Sequence, residues 1–318
     1  MFDALVEART LHFASTAIVT GGILFQTFVG RPSLCPESAC PSPDAQAYRR
    51  QVDCVVWIGL AAAIASGALW LVLLANDIGE QSWRDLFSND TALVVLTATQ
   101  FGQVWIARLL IALFLLFALL FRARHGNRRG ESLPCFLAVI LMGSLAWSGH
   151  AGGTPGWAGV IHRGNDFLHL VAAAAWLGGL LPLVLILRLV RGSADLGLAK
   201  IAQTATLRFS TLGLVAVATI LLTGIVNTWA LVGNGRAFIE TQYGRLLLVK
   251  VALFAVMVGI AAVNRLKLAP MLPDANASRS LQRNALVEFA LGLIIVAIVG
   301  ALGVLPPAIH EGMHLHLH

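Results

Sequence analysis

The chain has 318 residues, of which 58% are hydrophobic and only 12% charged, with a mean hydropathy of +0.79 and a formal net charge of +6. A soluble domain of this length must coat itself with charge, so the composition excludes one and specifies a polytopic membrane protein. The basic balance does not indicate nucleic acid, because the Lys and Arg residues flank apolar runs instead of forming an aromatic-interleaved patch; membrane topology and anionic lipid headgroups account for them.

A bilayer core takes about 20 apolar residues per helical span. Eight such segments are predicted, at about 10–30, 53–75, 100–121, 133–151, 166–188, 209–232, 245–264 and 286–305. Lipid forbids open sheet edges, and runs such as Leu109 to Phe121 do not alternate as barrel strands must. The expected fold is therefore all-α, a bundle of about eight transmembrane helices forming a single membrane domain over residues 1–318. Asp3 and Glu7 stand where a cleavable signal would be positive, so the first run is expected to stay as a span. In the connection at 76–99, Trp83, Leu86 and Phe87 recur at helical spacing among Asp85, Asn89 and Asp90, which predicts an interfacial helix. The connections at 189–208 and 265–285 are polar, and Pro270 and Pro273 in the latter are helix terminators.

Orientation follows from Lys and Arg in alternate connections. One set, with Arg31, Arg49, Arg50, Arg122, Arg124, Arg128, Arg129 and their counterparts in the later loops, holds fifteen; the other set, including both termini, holds five. Both termini are thus expected on the periplasmic side of a bacterial inner membrane. Eight of the nine histidines then fall at or near the outer face, His125 being the exception.

Ionisable groups inside a span cost about 2.5–3.5 kcal/mol each, so they need a reason to be there. Asp166 and His169 are three apart, hence on one helical face, with Trp176 continuing it. His150 closes the fourth span from the opposite direction, and a loop of about 14 residues between antiparallel neighbours would bring it near both. Two imidazoles and a carboxylate suit Cu(II), and also zinc, nickel or iron. The same residues also read structurally: Asp166 as the N-cap of its helix, and His150 and His169 as donors to backbone carbonyls. His12, at the outer end of the first span, joins the candidates. His162 does so from a loop, since Gly164 and Asn165 are expected to break the helix before Asp166. The tail at 306–318 ends in Met313, His314, His316 and His318, a tract that binds soft and borderline metals or is simply solvated. Cys35 and Cys40, with four residues between them on the expected cytoplasmic side, are a weak pair for Cu(I). Arg108 and Lys250 lie in outer half-spans, as partners for Asp166 or guides for an ion. Glu288 is a further buried charge. No nucleophile with its base, phosphate loop or dinucleotide fingerprint is present, so the chain is not expected to be an enzyme or to use ATP by itself.

Ser148-Gly149-His150-Ala151, Asp166-Phe167-Leu168-His169 running on to Trp176-Leu177-Gly178-Gly179, Arg208-Phe209-Ser210, Tyr243-Gly244-Arg245 with Lys250, Asn264-Arg265, Glu288 and Pro306-Pro307 together resemble the copper-resistance D (CopD/PcoD) family of bacterial inner-membrane proteins. The motifs extend in order over about half the chain. The resemblance implies copper ions as cargo, moved from the periplasm inward, with a small periplasmic CopC-like copper-binding protein as partner, here expected as a separate chain. It supplies no ligand list. Two other functions are compatible with the residues: a membrane redox protein holding haem or a metal centre that exchanges electrons with quinone, and a membrane anchor for the periplasmic copper chaperone.

Overall fold

The computed structural model describes residues 2–34, 43–79, 97–125, 132–153, 155–190, 196–272 and 274–309. Among them there is no strand; long helices run up and down the bundle. We number these α1 (Phe2–Phe25, continued through a π turn at Gln26–Gly30 to Leu34), α2 (Pro43–Gly79), α3 (Gln100–His125), α4 (Ser132–Gly143), α5 (Gly156–Val190), α6 (Leu196–Val232), α7 (Gln242–Val263) and α8 (Ala275–Leu302). Seven of them are long and apolar enough to cross a membrane, and α4 with its 3₁₀ extension, Ser132–Trp147, is a shorter apolar helix. The chain is thus a multi-pass membrane protein.

Apolar spans settle the number of helices, but several helices outrun them. At the His150 end α5 begins at Gly156, ten residues before the predicted start, and includes Gly164 and Asn165. The expected break there does not occur: a lone helical glycine costs only about 1 kcal/mol, and the Asn165 side chain bonds to α6 instead of competing for its own backbone. His162 is accordingly helical, one turn before Asp166. Asp166, well inside the helix, is no N-cap. The start of α5 is set by Gly156, whose φ of 64° is a left-handed conformation most side chains disfavour. At the other end of the bundle α7 stops at Val263 and passes through a π turn into a 3₁₀ turn containing Pro270, as a proline without an N–H requires. The predicted interfacial helix around Trp83, Leu86 and Phe87 lies outside the described residues.

The centre of the bundle is the crossing of α1 and α5, the two most buried spans. They meet backbone to backbone: a Cβ added to Gly21 would strike the Ala174 carbonyl and Gly178, and one added to Gly178 would strike the Ala17 carbonyl. Between helices in lipid there is little hydrophobic gain, so small residues every fourth position, here Ala17 and Gly21 against Ala174 and Gly178, bring the helices close enough for dispersion to hold them. One layer of core, from Phe25, Tyr48, Leu180, Leu187 and Phe209 to Leu281, fills the bundle away from His150. A second, with Phe13, Trp70, Trp105, Leu145 and Leu177, fills the half nearer to it. The many large apolar side chains left outside, such as Phe114, Phe117, Leu222, Ile225 and Val251, face lipid instead of water.

Candidate metal site at the His150 end

Two clusters of buried polar side chains occupy the same end of the bundle, one on each side of the α1–α5 crossing.

The first is built on α1, α2, α3 and α4 around His12, which is 4% exposed. Its Nδ1 is 2.9 Å from the Ala63 carbonyl oxygen and its Nε2 is 2.7 Å from an Arg108 guanidinium nitrogen. A carbonyl only accepts and a guanidinium only donates. The tautomer is therefore fixed: Nδ1–H donates to Ala63, and the Nε2 lone pair receives Arg108. Arg108, 2% exposed, also donates to the Leu141 carbonyl and to Ser144 Oγ. The guanidinium of Arg9, itself buried, lies 4.5 Å from the Trp70 ring centroid, and Arg108 lies 5.4 Å from that of Trp105. Cation–π contact adds electrostatic recompense for these two cations in a cluster that contains no carboxylate among the described residues.

The second cluster joins α5, α6, α7 and the turns after α4. Ser144–Trp147 and His150–Gly153 are 3₁₀ turns that reverse the chain in little space. They place the His150 ring against α8, with Nε2 3.0 Å from the Leu302 carbonyl oxygen, and 6.0 Å from the Tyr243 ring centroid. Since Leu302 can only accept, Nε2 carries the hydrogen and Nδ1 carries the lone pair of the neutral ring. Burial holds this imidazole below its ordinary pKa, and the Leu302 contact opposes that only in part, so the neutral, ligating form is favoured. His169 Nδ1 lies 2.8 Å from Thr223 Oγ1, whose own hydrogen is given to the Thr219 carbonyl at 2.6 Å. With the hydroxyl hydrogen on Thr219, the His169 ring donates from Nδ1 and keeps the lone pair on Nε2. Asp166 accepts from Asn227 Nδ2 at 3.1 Å, and Asn227 Oδ1 in turn accepts from Asn165 at 2.7 Å. Lys250, His162 and His150 all lie within electrostatic reach of the Asp166 carboxylate.

The sequence-derived trio of His150, Asp166 and His169 thus shares one end of one cluster, with buried His162 a turn before Asp166 and Lys250 facing it. His12 belongs to the other cluster, and Arg108 serves His12 and not Asp166. Among the described residues, no three His, Cys, Asp or Glu side chains already converge on a metal-sized point. Met313, His314, His316, His318, Cys35 and Cys40 lie outside the described residues. Sequence reasoning missed Thr223, Asn227, Asn165 and Tyr243. Thr223 and Asn227 carry a visible signal, since with Thr219 they recur every helical turn along one face of a largely apolar span.

Comparison with known proteins shows what this arrangement belongs to. Residues 1–160 match the family described as copper resistance protein D-like, N-terminal domain, and residues 202–302 match copper resistance protein D. The chain belongs to the copper resistance protein D family. It is 30% identical to the inner membrane protein YebZ of Escherichia coli over 95% of this chain and 98% of that one. It is 29% identical to the copper resistance protein D of Pseudomonas syringae pv. tomato over 84% of this chain and 86% of that one. The copper transport protein CutJ of Bacillus subtilis is 30% identical over 70% of this chain but only 40% of its own length. No solved structure matches. Family and spans together make this a multi-pass protein of the inner membrane.

Proposed function

We propose that the chain moves copper ions across the inner membrane from the periplasm, taking the ion at His150, Asp166 and His169, with His162 alongside, and passing it between α5, α6, α7 and α8. The observation that carries the reading is the pair of fixed tautomers. Leu302 and Thr223 orient the two rings by their hydrogen-bearing nitrogens, leaving the lone pairs on Nδ1 of His150 and Nε2 of His169, with the Asp166 carboxylate a helical turn from His169 and within electrostatic reach of His150. Second-sphere orientation of this kind is what metal-ligating histidines require. Imidazole suits copper as well as zinc, iron and nickel, and copper is the metal in the names of the family and of two relatives. His12 stands apart, because Arg108 occupies its lone pair.

The asymmetry of Lys and Arg supports placing this end in the periplasm, where a separate CopC-like copper-binding protein would deliver the ion. The terminal His/Met tract, if periplasmic, would add a collecting surface, and Cys35 and Cys40 a thiolate pair on the far side. Cells expressing the chain should accumulate more copper than cells without it, and His150→Ala or His169→Ala should remove the gain. Equal accumulation with and without the protein would contradict the proposal.

A further inference from the structure

The path beyond the metal site contains one more ionisable group for which copper capture has no use. Glu288 lies near the middle of α8, 2% exposed, about 21 Å from the Leu302 level by helical rise. The donors to its carboxyl are neutral: Asn264 Nδ2 at 2.7 Å and the indole of Trp176. Asn264 is in turn held by Asn284 at 2.8 Å.

The groups around it are few. Trp176 lies on the same face of α5 as Asp166 and His169, some ten residues, or about 15 Å, further along the helix. On α7, Lys250 is about 21 Å from Asn264 by the same measure. α1, which also packs on α8, has no ionisable residue between His12 and Arg31. On α6, Thr206 and Ser210 are neutral. The nearby cation, Arg265, is exposed and donates to Ser210 Oγ at 2.8 Å. Glu288 also lines a cavity of about 200 Å³ between α5, α6, α7 and α8, with Asn264 and Arg265 in its wall and exposed Leu214 and Leu266 at its rim. A carboxyl in such surroundings has hydrogen bonds but no counter-ion among the described residues, and an isolated buried carboxylate is far costlier than the neutral acid.

We propose that Glu288 is the proton-exchanging group of the path: it holds a proton while the path is empty and releases it as a cation crosses the middle of the membrane. The carboxyl O–H bond breaks, the proton passes through the cavity to water on the side opposite His150, and the carboxylate charge offsets that of the passing cation. Once the cation has left, a proton from the same side restores the acid, and no electron moves. Passage is then governed by pH on the far side. This inference rests on the transport reading above.

The test uses proteoliposomes holding the full chain in one orientation. Copper is added on the His150 side at fixed pH, so that the histidines do not titrate, and the opposite side is varied from about pH 6 to about pH 8. The native rate should rise by about tenfold or more across that range, as one proton can deliver. Glu288→Gln should be slow and indifferent to far-side pH, and Glu288→Asp should restore the dependence. Unchanged copper binding by Glu288→Gln in detergent checks that this variant is folded. Copper movement by Glu288→Gln with the native rate and native pH dependence would overturn the role of Glu288 while leaving copper transport standing. No copper movement by the native protein at any pH would overturn both.

Discussion

The two polar clusters at the His150 end contain the same kind of residue and do opposite things with it. Around His12 the neighbour at the imidazole lone pair is a donor. Arg108 takes the imidazole lone pair, Arg9 and Arg108 bring two buried positive charges, and a cation approaching this region meets repulsion in a medium that screens it poorly. Around His150 and His169 the neighbours instead accept hydrogens, from Nε2 of one ring and Nδ1 of the other, and Asp166 supplies a negative charge that faces the Lys250 cation. A buried histidine therefore marks a cation site only when its hydrogen-bond partners leave the lone pair to a cation. The first cluster ties α1, α2, α3 and α4 together; the second is the place for an ion.

Substitutions can break both regions, either one, or neither. Gly178→Val should have the largest effect, because a side chain there meets the α1 backbone. The expected loss exceeds about 4 kcal/mol and removes both clusters, seen as absence of monodisperse protein on size exclusion. Arg108→Met should cost about 2–4 kcal/mol, since it orphans His12 Nε2 and leaves the Leu141 carbonyl and Ser144 only their bond to each other. Its thermal midpoint in detergent should fall while copper uptake per folded molecule stays near native. Asp166→Asn should do the reverse: the amide oxygen can still accept from Asn227, so the midpoint holds, while copper uptake drops by about 10–100-fold. Smallest is Arg122→Gln, which opens a 2.8 Å ion pair to Asp53 at the far end. Both partners are partly exposed, so the cost should stay within about 0–1 kcal/mol and uptake should not change.

The sequence shows helices more readily than it shows their ends and neighbours. Apolar runs are local, so the spans are visible one by one; α5 nonetheless begins ten residues early, because Gly156 to Asn165 is polar enough to look like a loop yet still bonds as a helix. The shared face of Asp166 and His169 follows from a spacing of three, and the approach of His150 follows from chain reversal. Arg108 misleads because its position within a span says nothing about azimuth: pairing it with His12 and not with Asp166 depends on how α1, α2, α3 and α4 pack, which chain order does not encode. Thr223 and Asn227 escape notice for the opposite reason. Their spacing is plain, but polar groups in a span acquire meaning only once α6 is known to lie against α5.

The contrast between the clusters is tested most directly by copper content. Purified protein loaded with copper and freed of excess should retain the metal, measured by elemental analysis per chain. His150→Ala and His169→Ala should each lose it, and His12→Ala should retain the native amount. Loss of copper in His12→Ala with retention in the other two would contradict the account.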